Sequence, residues 1–332
     1  MSRVLVTNPS SKLNLYFGEV AMAQLSKVAE VLLNPHDREL STSELTRQAS
    51  DCEAIVAYRS TAATADLFAE LPQLKAFVRC ATDIRTIDVD AASARGILVT
   101  RTGPGFAVAV AEWVIGCCIA LSRNLVGYAA AYQAQGEPAV SMGRELRGSV
   151  LGVIGHGLIG AEVCRLAAAF GMRIMVTDPY RQVQREGVTQ VEFLALLSQS
   201  DVVVCLAQAS AETENLMDAQ AFAMMKPGAF FINAARGNLV NEHALHEALE
   251  RGQLGGCAID VGRAADQMPS PLLARHPRVI ATPHIGGLTW PAVDYQALET
   301  VRQVEDILAG RLPQGAVNAA FASRCSFLEL MK

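Results

Sequence analysis

The stretch VLGVIGHGLIGAEVCRLAAAFGMRIMVTDPY, residues 150–180, decides the fold. Leu151 to Ile154 is an apolar run of strand type, the glycines of GHGLIG (Gly155, Gly157, Gly160) follow at once, and AEVCRLAAAFG continues as a helix. The pattern predicts a strand over 150–154, a helix over 158–170 and a second strand over 173–177. Three glycines at this spacing are a weak signal alone, but strand, turn and helix come in the order a dinucleotide site requires. Gly155 permits the tight turn, Gly157 lets the backbone approach a pyrophosphate, and Gly160 lets helix and strand pack closely, while the first helical amides face the phosphates. Asp178, at the end of RIMVT, stands where a carboxylate accepts hydrogen bonds from both hydroxyls of an adenine ribose. Its charge would repel a 2′-phosphate, which favours NAD(H) over NADP(H); Arg181, a guanidinium able to receive a phosphate, leaves the second cofactor open.

Working outward, further strands at 201–206, 229–233, 256–260 and 278–281 complete a doubly wound sheet. Before it, β-branched runs at 4–7, 54–57, 76–79 and 97–100 alternate with amphipathic helical stretches, the pattern of another parallel α/β layer. The fold class is α/β, with two doubly wound parallel-sheet domains. TGPGFAVAVAEWVIGCCIALSRN lies between them and contains a mostly buried helix over 107–121, a hinge element. A last amphipathic helix over 292–310 leads into a tail expected to return to the first unit, too short for an additional regulatory domain.

Composition sets the limits. A chain of 332 residues, 51% apolar and 18% charged, is a packed protein of about two domains. With 28 basic and 33 acidic residues the net charge is -5 and there is no basic block, so no nucleic-acid partner is expected. Glu112 splits the best membrane candidate, Arg101 to Arg123, into runs too short for a bilayer. No membrane span is expected; the start, MSRVLVTNPSSK, lacks the order of a secretory signal and the chain reads as cytoplasmic. The eight cysteines, without CxxC spacing, read as reduced core thiols, and no metal site is expected.

Three polar residues follow strands of the second sheet, where ligands of open α/β folds gather: Arg236 in INAARGNLV, an acid near Asp266 after AIDV, and His284 in TPHIGG. By type they make a fork for an acidic substrate, a carboxylate and a proton donor.

These stretches, with LKAFVRC, IDVDAASARGILVT, AVAEWVIGCCIALSRN, VTDPY, HALHEALERGQLGGCAIDV and ETVRQVEDILAG, resemble the D-isomer-specific 2-hydroxyacid dehydrogenase family over most of the chain. The resemblance implies two Rossmann-like domains, with the NAD domain (102–290, including a hinge and dimerisation region over 104–146) inserted into a substrate domain (1–101 plus 291–332) that closes over the substrate. It implies a homodimer, NAD bound by Gly155, Gly157, Gly160 and Asp178, and a nicotinamide carboxamide contact at Asp260. Leu158, Ile159, Pro179, Leu206, Ala207, Thr213, Ala234, Arg236, His284 and Gly286 join the implied cofactor set, and Arg59, Ala81 and Thr82 join Arg236 and His284 around the substrate. The catalytic set is Arg236, Asp266 and His284: Arg236 would hold the carboxylate and carbonyl oxygen of a 2-oxo acid, and His284, backed by a carboxylate, would protonate the developing alkoxide.

The chain departs from the family pattern in three places. Five residues beyond Asp260, where the family usually has glutamate before a proline, stands Ala265; a one-residue insertion overlays Asp266 on that acid, and without such a partner His284 would work at a lower pKa. CATDIRTID, residues 80–88, replaces a glycine-rich substrate loop, bringing in the side chains of Asp83 and Arg85. Trp113 stands where the family often has histidine and walls either the active site or the dimer contact. Arg59 reads either as a second substrate contact or as a solvated arginine. His243 and His246 read as members of a solvated helix face, His156 as a variable turn position and His276 as a loop residue. The expected activity is NAD(H)-dependent interconversion of a D-2-hydroxy acid and its 2-oxo acid, with glyoxylate, hydroxypyruvate or a larger acid as substrate. The alternatives are a non-catalytic NAD(H)-sensing, corepressor-like binding protein and a formate- or phosphite-type dehydrogenase, for which Gln267 speaks.

Overall fold

A computed structural model describes residues 1–327. It divides into two compact units, Met1–Gly105 together with the chain from Thr289 onward, and Phe106–Leu288.

The first unit is built on β1 (Arg3–Val6), β2 (Glu30–Leu33), β3 (Ala54–Ala57), β4 (Ala76–Arg79) and β5 (Leu98–Arg101), all parallel in the order β2-β1-β3-β4-β5. The central strands AIVA and AFVR are buried at every position, as a sheet covered on both faces requires. The helix Trp290–Leu308 buries Ala297, Val301, Val304 and Ile307 in a cluster with Val4, Val56 and Val78. Beyond it the chain runs along the free edge of β5: Val317 N donates to Val99 O (2.8 Å), Arg101 N to Gly315 O (3.1 Å) and Val99 N to Asn318 Oδ1 (2.7 Å). The tail thereby occupies backbone groups that an open edge would present to other chains.

The second unit holds β6 (Val150–Ile154), β7 (Arg173–Thr177), β8 (Val188–Gln190), β9 (Val202–Cys205), β10 (Ala229–Asn233), β11 (Leu254–Ile259) and β12 (Val279–Ala281), parallel throughout in the order β12-β11-β10-β9-β6-β7-β8. The chain runs outward from β6 through β7 to β8, then restarts at β9 on the other side of β6. The switch point is the gap between β6 and β9, where doubly wound folds bind ligands at the carboxyl ends of the strands. The helix Ala107–Arg123 lays Ala111, Val114 and Cys118 against Leu151, Val153 and Ala258, the buried valines and leucine contributing about 2 kcal/mol each. It ends at Asn124 in a left-handed conformation, and the next helix, Leu125–Gln133, leaves at 68°. Among the described residues no single helix is long and apolar enough to cross a membrane.

Two strands escape the sequence reading, EVLL and VTQ, which form β2 and β8. Both are sheet edges, paired on one side only, so neither carries the continuous apolar run of a doubly covered strand. The expected helix over 292–310 begins and ends two residues earlier. All eight cysteines are buried and unpaired, and burial pushes the Cys52, Cys80, Cys164 and Cys325 thiols up to about 11.

Candidate functional site

The glycine turn sits at the carboxyl end of β6. Gly155 has φ +93°, and a Cβ there would lie 2.8 Å from the Leu206 carbonyl oxygen and 2.9 Å from Ala207 N, so the turn is pressed onto the loop after β9. Gly157 differs: its φ is -77° and a Cβ would meet no protein atom within 4 Å. Its backbone faces open space at the start of the helix Leu158–Ala169, a cradle of the shape a pyrophosphate needs. Leu158 is exposed there and Ile159 packs toward the core. At the end of β7, Asp178 Oδ2 accepts from His156 N (2.8 Å) and Oδ1 from Tyr180 N (3.0 Å), so backbone amides on both sides fix its carboxylate beside the turn and ahead of Pro179. These residues fit a dinucleotide. Thr213 is tied within its own loop, accepting from Ser210 N and donating to Gln208 O (2.8 Å each).

Arg236 follows β10 and is half-buried, with Nη1 donating to Ala235 O at 2.7 Å. Its turn is shaped by Asn233, a buried side chain that donates to Arg236 O (3.0 Å) and accepts from Ala235 N (3.1 Å). A Cβ on Gly237 would lie 2.1 Å from the Gly262 carbonyl carbon, so the turns after β10 and β11 stack backbone on backbone. Ala234, at the start of the Arg236 turn, has its N 3.4 Å from Cys205 O.

Asp260 closes β11 and is 4% exposed. Its Oδ1 accepts from Thr282 Oγ1 (2.6 Å) and Ile285 N (2.8 Å), and Oδ2 accepts from Gly286 N (2.7 Å). The carboxylate thus grips the loop after β12 on both sides of His284, which holds the uncommon φ of +56°. His284 Nδ1 donates to the backbone carbonyl oxygen of Asp266 at 3.1 Å. The ring therefore carries its fixed proton on Nδ1 and presents Nε2 for proton exchange. The Asp266 oxygen in this contact is that of its main chain. Trp113 lies against the same loop, its Cγ 3.8 Å from a Cβ placed on Gly286.

The other expected substrate residues belong to the first unit. Arg59, Ala81 and Thr82 follow β3 and β4. The Arg59 guanidinium stacks over Tyr16 (4.9 Å) and Tyr58 (5.9 Å), so it is held against rings rather than waving in solvent. Arg85 grips Asp83 through Nε and Nη2 (2.7–3.1 Å). Arg79, fully buried at the end of β4, donates to Tyr58 O, Thr61 O (2.6 Å) and Thr86 Oγ1 (2.8 Å) and so fastens the loops bearing Arg59 and Thr82; burial lowers its pKa to about 10.

Sequence reasoning passed over Asn233, Arg79 and the grip of Asp260 on the His284 loop. The available signal was a polar residue closing an otherwise apolar strand, as in AFFIN and AFVR. His276 lies in the loop before β12, as read, and is buried there as an anchor: Nδ1 accepts from Arg278 N (3.1 Å) and Nε2 donates to Glu250 Oε1 (3.0 Å). His246 packs edge-on against that ring at 5.7 Å instead of lying on a fully solvated face. Among the described residues no group of three or more potential ligands could hold a metal ion.

The sequence profile of the D-isomer specific 2-hydroxyacid dehydrogenase NAD-binding domain matches residues 115–286. The chain is 32% identical over 322 residues to D-3-phosphoglycerate dehydrogenase of Synechocystis sp., covering 96% of this chain and 56% of that protein. It spans little more than half the length of the curated relatives it matches. A solved structure from Polaromonas sp. JS6 66, described as an NAD-binding D-isomer specific 2-hydroxyacid dehydrogenase, superposes with a TM-score of 0.88 at 25% identity, covering 96% of this chain and 99% of that one. A glyoxylate reductase from Paecilomyes thermophila superposes with a TM-score of 0.81 at 26% identity, over 95% and 98% of the two chains.

Proposed function

The chain belongs to the D-isomer specific 2-hydroxyacid dehydrogenase family, and from that premise we propose that it interconverts a D-2-hydroxy acid and its 2-oxo acid with NAD(H). One observation carries the reading. Within a single sheet, the glycine turn after β6, the Arg236 turn after β10 and the His284 loop after β12 all lie at the carboxyl ends of the strands, the His284 loop gripped by a buried carboxylate.

When bound, NADH supplies a hydride from its nicotinamide to C2 of the 2-oxo acid. The chain's residues do the rest. The Arg236 guanidinium holds the substrate carboxylate and the carbonyl oxygen through directed donors, a geometry lysine does not reproduce. His284 Nε2 gives a proton to the oxygen as negative charge develops there, while the Asp266 carbonyl holds Nδ1–H and orients the ring. In oxidation Nε2 accepts the hydroxyl proton. Asp178 favours NADH by accepting from the ribose hydroxyls and repelling a 2′-phosphate.

The arm after the hinge helix supports a homodimer. Leu125, Val126 and Tyr132 on its helix, and Val140 and Met142 beyond it, are 48–98% exposed, an apolar surface that a second copy would cover. The test of the activity is NADH oxidation at 340 nm with glyoxylate, hydroxypyruvate and larger 2-oxo acids, together with NAD reduction by D-3-phosphoglycerate, the substrate named for the Synechocystis relative. Turnover with at least one, lost on His284→Ala, is expected. Tight NADH binding without any turnover would instead favour a sensor.

A further inference from the structure

We propose that Arg263 is the positioning residue that holds the His284 partner loop in its working conformation. The inference rests on the reading above in taking His284 as the proton donor.

Arg263 lies in GRAADQMP, the segment after β11 that departs from the family pattern. Its Nη2 donates to Glu214 Oε1 (2.8 Å), Asn215 Oδ1 (2.7 Å) and Asn238 O (2.9 Å), its Nε to Val240 O (3.2 Å), and its own backbone N to Glu242 Oε1 (3.0 Å). These acceptors come from two stretches, the loop after β9 and the turn beyond Arg236. One side chain therefore ties the connection after β11, which carries it, to the two preceding connections at the carboxyl end of the sheet. Asn238 Nδ2 donates to Glu214 Oε2 (2.9 Å), and this bond and the Arg263 pair together hold the Glu214 carboxyl below its ordinary pKa.

The segment is folded back on itself: Gly262 N donates to Gln267 O (2.7 Å) and Ala264 N to Met268 O (3.0 Å). At its tip Asp266 and Gln267 both have positive φ, +54° and +57°. Two successive non-glycine residues in that region cost about 1–2 kcal/mol each and persist only where the surroundings impose them. The reward is the direction of the Asp266 carbonyl, which receives Nδ1–H of His284. Arg263 anchors the same hairpin beside its first turn, between Gly262 and Ala264. A planar guanidinium meets several acceptors at fixed angles, where an ammonium on a flexible stem would reach one or two. Its function is to keep the 262–268 hairpin from relaxing and turning that carbonyl away.

The test compares Arg263→Met and Arg263→Lys with the wild-type enzyme in two readouts: kcat and KM with NADH and the best 2-oxo acid, and the ring 15N signals of His284. Arg263→Met is expected to lower kcat by about tenfold or more, since misplacing a catalytic group by an ångström costs up to a hundredfold. KM for NADH should stay within about twofold. The Nδ1–H form of His284 should lose its dominance, and Arg263→Lys should restore part of both effects. Wild-type kcat together with an unchanged ring signal in Arg263→Met overturns the proposal. Should that variant not fold, Glu214→Gln carries the test, with a smaller fall in kcat of about threefold expected, and wild-type kcat with an unchanged ring signal overturning it. If the wild-type protein turns over no acid at all, the functional reading fails, while the ring signals still decide whether Arg263 sets the His284 tautomer.

Discussion

His284 Nδ1 lies 3.1 Å from the main-chain oxygen of Asp266, and both residues hold left-handed backbone angles, φ +56° and +54°. A backbone carbonyl can only accept, so the contact fixes the imidazole tautomer without depending on the protonation of a side chain. In the neutral state the ring should be the Nδ1–H form, read from the ring 15N shifts of His284. A dominant Nε2–H form would contradict the geometry.

The glycine turn separates fold from ligand. At Gly155 a methyl group meets the loop after β9 at 2.8–2.9 Å with φ +93°, so Gly155→Ala should lower Tm by several degrees along with NADH affinity. At Gly157 it meets no protein atom. Gly157→Ala should leave Tm within about 2 °C yet weaken NADH binding by about tenfold or more, followed by nicotinamide fluorescence. Unchanged affinity in that variant would remove the pyrophosphate from this turn.

Much of this region was legible in the sequence because the glycine turn is a backbone requirement written into consecutive residues. The central strands were legible as unbroken apolar runs. What stayed hidden depends on distant partners. Asp260 reads as a residue at the end of a strand until Thr282, Ile285 and Gly286 are seen on its oxygens, and nothing near His276 in the sequence shows that this loop residue is buried with Glu250, 26 residues away, on its ring. The edge strands β2 and β8 stayed hidden for the opposite reason: their residues, half solvated, have no strong pattern to show.

Asp260→Asn tests the grip on the His284 loop. One amide nitrogen must replace an oxygen that now faces an N–H or O–H donor, leaving a buried donor unmet at a cost of about 1–3 kcal/mol. The variant should unfold at lower denaturant and lose kcat. Wild-type stability and turnover would make the three bonds incidental.

Burial holds the His156 imidazole below its ordinary pKa, the Arg185 charge and more weakly Arg181 act the same way, and Asp178 pulls against them. The unfolded chain keeps the ordinary value near 6.5. As pH falls through that value the unfolded state takes the proton first, so folding stability drops toward acid; at higher pH the effect vanishes. Replacing the ring in His156→Gln should therefore raise Tm relative to wild type increasingly between about pH 7.5 and 5. A Tm difference independent of pH would show that His156 titrates alike in both states.

The most direct test of the central claim, that Arg236 and His284 assist hydride transfer to a 2-oxo acid, follows the hydride itself. NADH carrying deuterium at the transferring C4 position is incubated with the best substrate of the 2-oxo acid panel, and the product is analysed by mass and by chiral chromatography. The expected product is a D-2-hydroxy acid with one deuterium at C2, formed far more slowly by His284→Ala and Arg236→Gln. A product of L configuration, a product without the label, or no product from any acid in the panel would contradict it.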